Sequence, residues 1–210
     1  MNLAERRRIL AQAGTAEQWD FEWDYTMGKL EDMAGWTGYV SRGTGSSVMT
    51  ESGEKLCTGA GPTQDGSQYI ISPQSTNALY SFSNGYGVIE VVMSGVYYPA
   101  SAENLRITAF ASSSKRLGLL QSGGKWRILN ASLVQNCTPI ADAVDNIEYK
   151  VRIVFKDVTA DIYINDVLVK ADFSTSATLY GSMNSLVHQN GHGSDYCAII
   201  KSYKIKCGRI

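Results

Sequence analysis

Residues 148–173 read EYKVRIVFKDVTADIYINDVLVKADF. Tyr149, Val151, Ile153 and Phe155 alternate with Lys150, Arg152, Val154 and Lys156. That period of two puts an apolar row on one face of a strand and a largely charged row on the other. Asp157 to Thr159 can turn the chain. Ile162 and Ile164 then alternate with Asp161, Tyr163 and Asn165 in a second strand. Asn165-Asp166 is a two-residue turn candidate, because both residue types tolerate positive φ. Val167 to Ala171 returns as a third strand. Strands joined this closely must be antiparallel, so the stretch predicts a meander.

The same alternation recurs on both sides. Trp19, Phe21, Trp23 and Tyr25 alternate with Asp20, Glu22 and Asp24, which predicts an early strand with one aromatic and one acidic face. Thr26 to Trp36 reads as a loop bent at Gly28 and Gly35. Short apolar clusters between Tyr39 and Ser72 predict two or three strands. GVIEVVMSGV (87–96) and NLRITAFAS (104–112) are strands, and RLGLLQSGGKWRIL (116–129) is a hairpin about Ser122-Gly123-Gly124. Residues 131–146 lack clear periodicity, with a short helix expected near Ile140 to Val144. Residues 174–194 read as polar and irregular. The closing run 195–207 is a strand with Cys197, Ile199, Tyr203 and Ile205 on one side. Many strands without a long helix between them predict an all-β chain, folded as a two-sheet antiparallel β-sandwich.

At its start MNLAERRRILAQAG differs. Asn2 and Glu5 suit a capping box and Gly14 a helix end, which predicts a helical arm over 1–14 outside a sandwich domain over 15–210. Gln12 and Glu17 interrupt the apolar run after Arg6-Arg7-Arg8, so no secretory signal is read. Hydrophobic residues make up 44% of the 210, enough for one sizeable core. A net charge of -1 gives no electrostatic basis for nucleic-acid binding. No apolar run reaches the ~20 residues of a membrane-spanning helix, so no membrane insertion is expected. The cysteines Cys57, Cys137, Cys197 and Cys207 form no CxxC pair, which argues against zinc. On one continuous strand Cys197 and Cys207 would stand roughly 33 Å apart, far beyond the ~7 Å of a disulfide, and free thiols are expected.

The opening FEWDYTMGKLEDMAGW, the meander YKVRIVFKDVTADIYINDVLVKADF and the closing DYCAIIKSYKIK together resemble the laminin-G-like branch of the concanavalin A-like lectin and glucanase jelly rolls. In that family the last strand returns beside the first. Asn165-Asp166 departs from the family's usual Asp-Gly or Asn-Gly, which leaves a longer turn open. MNLAERRRILAQ followed by WDYTMG is similar to the start of prophage tail and structural proteins of gut Firmicutes. That likeness implies a surface-recognition component of a virion, placed on a particle or a bacterial exterior.

Glucanases of this fold carry Glu-x-Asp-x-(x)-Glu on one strand, so that two carboxyls face the same glycosidic bond. The nearest match here is Glu22-Trp23-Asp24, but Thr26 and Met27 stand where the second Glu belongs. Glu90 and Glu148 have no partner at the required spacing. A non-catalytic module is therefore expected, with a glycoside hydrolase of atypical site as a further alternative. His188 and His192 are spaced as a helical metal pair, but Gly191 and Gly193 exclude the helix, and exposed loop histidines are expected. Asp142, Asp145 and Asn146 offer oxygens to a calcium ion, as in some laminin-G-like domains, yet lack the dense spacing of a dedicated loop. No cofactor is expected. The aromatic and basic residues Tyr97, Tyr98, Asn104, Arg106, Trp126 and Arg127 form the candidate ligand site. Aromatic faces pack on sugar rings, while Arg and Asn bond hydroxyls. One of Trp126 and Arg127 must face away from the core. The partner predicted is carbohydrate, with burial of the aromatics against further virion subunits or further copies of the chain as the alternative.

Overall fold

The computed structural model describes residues 17–58, 67–73, 81–82, 86–96, 103–112, 115–129, 139–174, 182–190 and 197–208. The arm expected over 1–14 lies outside them. Among the described residues the strands, in chain order, are β1 (Phe21–Asp24), β2 (Trp36–Arg42), β3 (Gly45–Thr50), β4 (Gly53–Thr58), β5 (Ser67–Pro73), β6 (Ser81–Phe82), β7 (Tyr86–Val96) and β8 (Glu103–Ser112). They continue with β9 (Lys115–Ser122), β10 (Lys125–Leu129), β11 (Pro139–Asp142), β12 (Tyr149–Lys156), β13 (Thr159–Ile164), β14 (Val167–Ser174), β15 (Ser182–Asn190) and β16 (Cys197–Cys207).

The meander forms as its alternation predicts. Val151, Ile153 and Phe155 of β12 stand opposite Ile164, Ile162 and Ala160 of β13 and opposite Val91, Ile89 and Gly87 of β7. Asn165 and Asp166 both take left-handed φ values, 51° and 63°, so the second connection is a two-residue turn whose twist matches the flanking strands. Gly123 and Gly124, at φ 58° and 66°, close the hairpin of β9 and β10 in the same manner.

Every strand pairing is antiparallel, and the strands make two sheets. Sheet I has the order β14-β13-β12-β7-β16-β4-β3, with β1 also pairing with β16. Sheet II has the order β11-β10-β9-β8-β15-β5-β2, with β6 also pairing with β15. The first and last strands thus lie side by side, Phe21 opposite Ile205 and Trp23 opposite Tyr203. The core fills the space between the sheets. Sheet I contributes Trp23, Ile89, Val91, Met93, Ile153, Phe155, Ile162, Ile200 and Tyr203, and sheet II contributes Trp36, Ile71, Leu105, Ile107, Leu119 and Trp126. Aromatic pairs join the layers. Trp36 meets Tyr203 edge-on at 5.2 Å, and Trp126 meets Tyr149 edge-on at 5.5 Å, contacts that hold two sheets in a fixed relation.

Five expectations are corrected. The stretch 36–73 holds four strands, β2 to β5, because Ser-, Thr- and Gly-rich edge strands carry little apolar signal. The early strand ends at Asp24, whose carboxylate accepts from the Thr26 amide at 2.9 Å and caps a 3-10 turn over Tyr25–Met27. The helix expected near Ile140 is strand β11, paired with β10. Within the segment read as irregular runs β15, a central strand of sheet II between β8 and β5. Its alternation is masked because both faces mix polar and apolar residues. Finally, β16 is bulged between Ile200 and Ser202. The extra residue shifts the phase by one, so Ala198, Ile200, Tyr203 and Ile205 share the core side, whereas Ile199 falls on the other. Cys197 and Cys207 stand at opposite ends of β16 and form no disulfide, as the strand geometry requires of this pair.

Candidate functional site

Tyr97 and Tyr98 lie outside the described residues. Asn104 falls at a register irregularity between Glu103 and Leu105 in the ladder of β8 and β9. Arg106 stands opposite Leu120, and Leu120 opposite Arg127. The two arginines therefore occupy one cross-strand row, two strands and about 9–10 Å apart. The row continues across sheet II through Val187 and Ile70 to the exposed Tyr39. Trp126 is corrected: it is fully buried and belongs to the core rather than to a ligand surface. By the period of two its neighbour Arg127 then faces outward, and it is half-buried.

Asp142, Asp145 and Asn146, weighed for calcium, lie on β11 and in the turn that follows it. Asp142 pairs with Lys125 across β10 and β11. Asn146 takes φ 59° and donates its amide to the Gly95 carbonyl at 2.8 Å. Among the described residues no three His, Cys, Asp or Glu side chains converge as a metal would need. His188 stands in register between Tyr69 and Leu105, within a strand rather than a loop, and His192 lies outside the described residues. Glu22 pairs with Lys204 at 2.9 Å and Glu148 with Lys201 at 2.6 Å, so these acids serve as surface ion-pair partners.

Two side-chain clusters were not found from the sequence. The first covers the outer face of sheet I, where Glu17 and Trp19 form a strap. Asp20 ties that strap to β16, donating its amide to the Ile205 carbonyl at 3.0 Å and accepting from the Cys207 amide at 2.6 Å. Glu17 takes both terminal nitrogens of Arg152, at 2.7 and 2.8 Å. Glu90 approaches the same guanidinium at 3.4 Å, and the Trp19 ring covers it at 5.4 Å. The bidentate arginine contact holds the Glu17 carboxyl below its ordinary value. Val88, Glu90 and Val154 are buried on this outer face.

Beside the strap lies a shallow depression of about 430 Å³ lined by Arg152, Val154, Lys156, Asp161, Tyr163 and Asp166. Lys156 pairs with Asp161 at 2.5 Å and Asp172 at 3.3 Å, and Lys150 with Asp166 at 2.8 Å. Burial works to raise the Asp161 carboxyl, but the Asp172 amide, donating at 2.9 Å, and the Lys156 ammonium outweigh it and leave it lowered. The ladder of β13 and β14 is irregular beneath this spot, between Ala160 and Ile162 and between Ile162 and Tyr163, and Asp172 adopts φ 44°.

The second cluster is internal, at the β2 and β3 edge of the sandwich. Glu31, on a 3-10 turn over Leu30–Asp32, accepts from the Tyr69 hydroxyl, from the Ser47 hydroxyl at 3.0 Å and from Lys29 at 3.1 Å. Glu54 is fully buried and accepts the Leu30 amide at 2.8 Å through Oε2. Its Oε1 has no hydrogen-bond partner among the described residues. Burial raises the Glu54 carboxyl above its ordinary value, against the opposing pull of the Leu30 amide.

No protein-family model matches the chain, and no curated protein matches it. Solved structures do. A sialidase superposes with a TM-score of 0.64 at 12% identity over 90% of this chain. The cellulose-induced protein Cip1 gives 0.64 at 12% over 90% of this chain and 98% of its own. The exoplasmic/lumenal domain of VIP36, solved with calcium and Man3GlcNAc, gives 0.58 at 10% over 92% of each. The shared fold is a two-sheet antiparallel jelly-roll β-sandwich. At such identities the likeness is one of fold. The chain spans 19% of the sialidase's length.

Proposed function

We propose that this domain is a non-catalytic carbohydrate-recognition module that binds sugar on the outer face of sheet II. The observation that carries the reading is the register row that sets Arg106 and Arg127 two strands apart, with the exposed Tyr39 farther along it. Arginines in one cross-strand row suit contacts to hydroxyls or carboxylates, and the segment between β7 and β8, in whose sequence Tyr97 and Tyr98 fall, is the kind of connection on which ligand residues are carried. Shared fold with VIP36 and Cip1 agrees with this class. Binding is weak, near the ~1 mM that corresponds to about -4 kcal/mol. A glycan array identifies the sugar, after which Arg127→Ala, Arg106→Ala and Tyr98→Ala each weaken its binding. Unchanged binding in all three folded variants moves the site elsewhere.

A second reading has one observation in its favour. Val144, Ile147 and Val167 are 53%, 47% and 63% exposed, and apolar surface of this kind suits contact with other subunits. On that reading the chain is a structural subunit of a virion or adhesin. An empty glycan array together with a large, stable oligomer in solution favours it. For either role we infer a place on a virion or bacterial exterior, in line with the prophage resemblance of the N-terminal sequence.

A further inference from the structure

We propose a second ligand site, for a neutral saccharide, in the depression on the outer face of sheet I between Arg152 and Asp166. It lies on the opposite sheet from the Arg106–Arg127 row and stands independently of it.

Charge sets the class of ligand. The depression is lined by two cations, Arg152 and Lys156, and two anions, Asp161 and Asp166. Each is already matched: Arg152 by Glu17 and Glu90, Lys156 by Asp161 and Asp172, Asp166 by Lys150. A charged ligand must break one of these pairs and leave its partner uncompensated, whereas a neutral one need not. Arginine and lysine nitrogens and carboxylate oxygens keep further hydrogen-bonding capacity after pairing. They therefore offer donors and acceptors on facing sides of a single site, the arrangement that a ring of hydroxyl groups satisfies.

Shape and apolar surface agree. Tyr163 stands opposite Arg152 on one side and Leu168 on the other, and Leu168 is 48% exposed. Val154, opposite Asp161, makes the floor. The Tyr163 ring, with the exposed Leu168 opposite it on β14, suits the C–H face of a pyranose while the flanking polar groups take its hydroxyls. The volume of about 430 Å³ falls in the ~300–1,000 Å³ range of small-molecule sites.

The backbone beneath supplies an independent observation. The ladder under the depression is irregular at two successive steps, and Asp172 is held at φ 44°, a conformation that is costly for a residue with a side chain. Bulges of this kind re-aim side chains and are over-represented beside binding sites. Here the distortion brings the Asp172 amide to Asp161 at 2.9 Å and fixes the carboxylate at the edge of the site.

The test uses the full chain, labelled with nitrogen-15, titrated with cellotriose, maltotriose and chitotriose, and with trigalacturonate as the charged counterpart. The expected result is that at least one neutral trisaccharide shifts the amides of Val154, Asp161 and Tyr163, saturating in the ~1 mM range. Tyr163→Ala weakens that binding about fivefold, the scale of one aromatic contact, while Tyr163→Phe retains it and shows that the sheet is intact. Trigalacturonate binds no more tightly than the neutral sugars. Absence of shifts with all three neutral sugars, or a Tyr163→Ala variant that binds as the wild type does, overturns the proposal. Shifts confined to the row of Ile70, Arg106 and Arg127 also overturn it while supporting the site on sheet II. Shifts at both places support both.

Discussion

Glu17 and Glu54 lie against opposite faces of sheet I and meet opposite fates. Glu17 sits on the outer face, within water's reach, with two nitrogens of Arg152 at 2.7 and 2.8 Å. Glu54 sits on the inner face, fully buried, with one backbone amide and one oxygen unpartnered among the described residues. Charge pairing therefore lowers the first carboxyl and burial raises the second. The linkage signs follow. Glu17 adds stability above its ordinary pKa, and that stability is lost as pH falls through its lowered folded value. Glu54 is best tolerated when protonated. The fold is most stable with respect to Glu54 below the ordinary carboxyl value of 4.5, and stability declines as pH rises through the raised folded value. A pairing partner, more than depth alone, decides whether an acid supports this sandwich or strains it.

The strongest test of the inner cluster is Gly38→Ala. A Cβ there would overlap Glu31 Oε2 and come within 2.6 Å of the Tyr69 hydroxyl. Chemical denaturation should show a loss of about 2 kcal/mol, within the range for overpacking, because the ends of the Glu31 and Tyr69 side chains must give way and lose their mutual hydrogen bond. A neutral result would mean that Glu31 swings free and that the cluster is not a fixed interior contact. Next in size is Glu54→Gln, whose amide oxygen can still accept from Leu30. Near neutral pH this variant should gain about 1–2 kcal/mol, because a neutral amide carries no charge into the buried site. It should gain nothing well below pH 4.5, so the two stability–pH curves converge in acid. Parallel curves would remove the burial argument. On the outer face, Glu17→Gln should cost less than about 1 kcal/mol, because the pair is half-open to solvent. That cost should shrink in high salt, while the Glu54→Gln effect should not. Smallest of all is deletion of residues 1–14, which stops short of Glu17. Thermal and denaturant stability should change by no more than about 0.5 kcal/mol, and a loss of several kcal/mol would show that the stabilising strap begins further upstream.

How far the sequence foretold this structure varied with the regularity of each strand. The meander β12 to β14 was legible because its inner row is uniformly apolar and its turns carry Asn and Asp. The hairpin of β9 and β10 was legible through Gly123-Gly124. β15 was not, since MNSLVHQN mixes polar and apolar residues on both faces, and its strand character comes from neighbours on either side. The bulge in β16 was invisible because an extra residue leaves composition unchanged while it moves every following side chain to the other face. Within the candidate site, the sequence could state that Trp126 and Arg127 face opposite ways but not which one is inside. Trp126 is inside because β11 and Tyr149 close over that end of the core. The strap and the Glu31–Glu54 cluster were illegible because they join residues distant in the chain, Glu17 to Arg152 and Glu31 to Tyr69, that no local period connects.

The positions of β15 and β16 bear on how the chain comes to be made. Each is made after the strands it joins, yet β15 lies between β8 and β5 and β16 between β7 and β4. Before residue 182 is synthesised, each sheet therefore lacks the strand that joins its two halves, and each half has an open inner edge. Nascent chains in this state expose unpaired strands of the kind that associate wrongly. A chain stopped before residue 182 loses the seam of both sheets at once, rather than one border of the sandwich. The same placement makes the segment 182–207 a natural cut for fragment complementation, because two late strands supplied in trans would close both layers together.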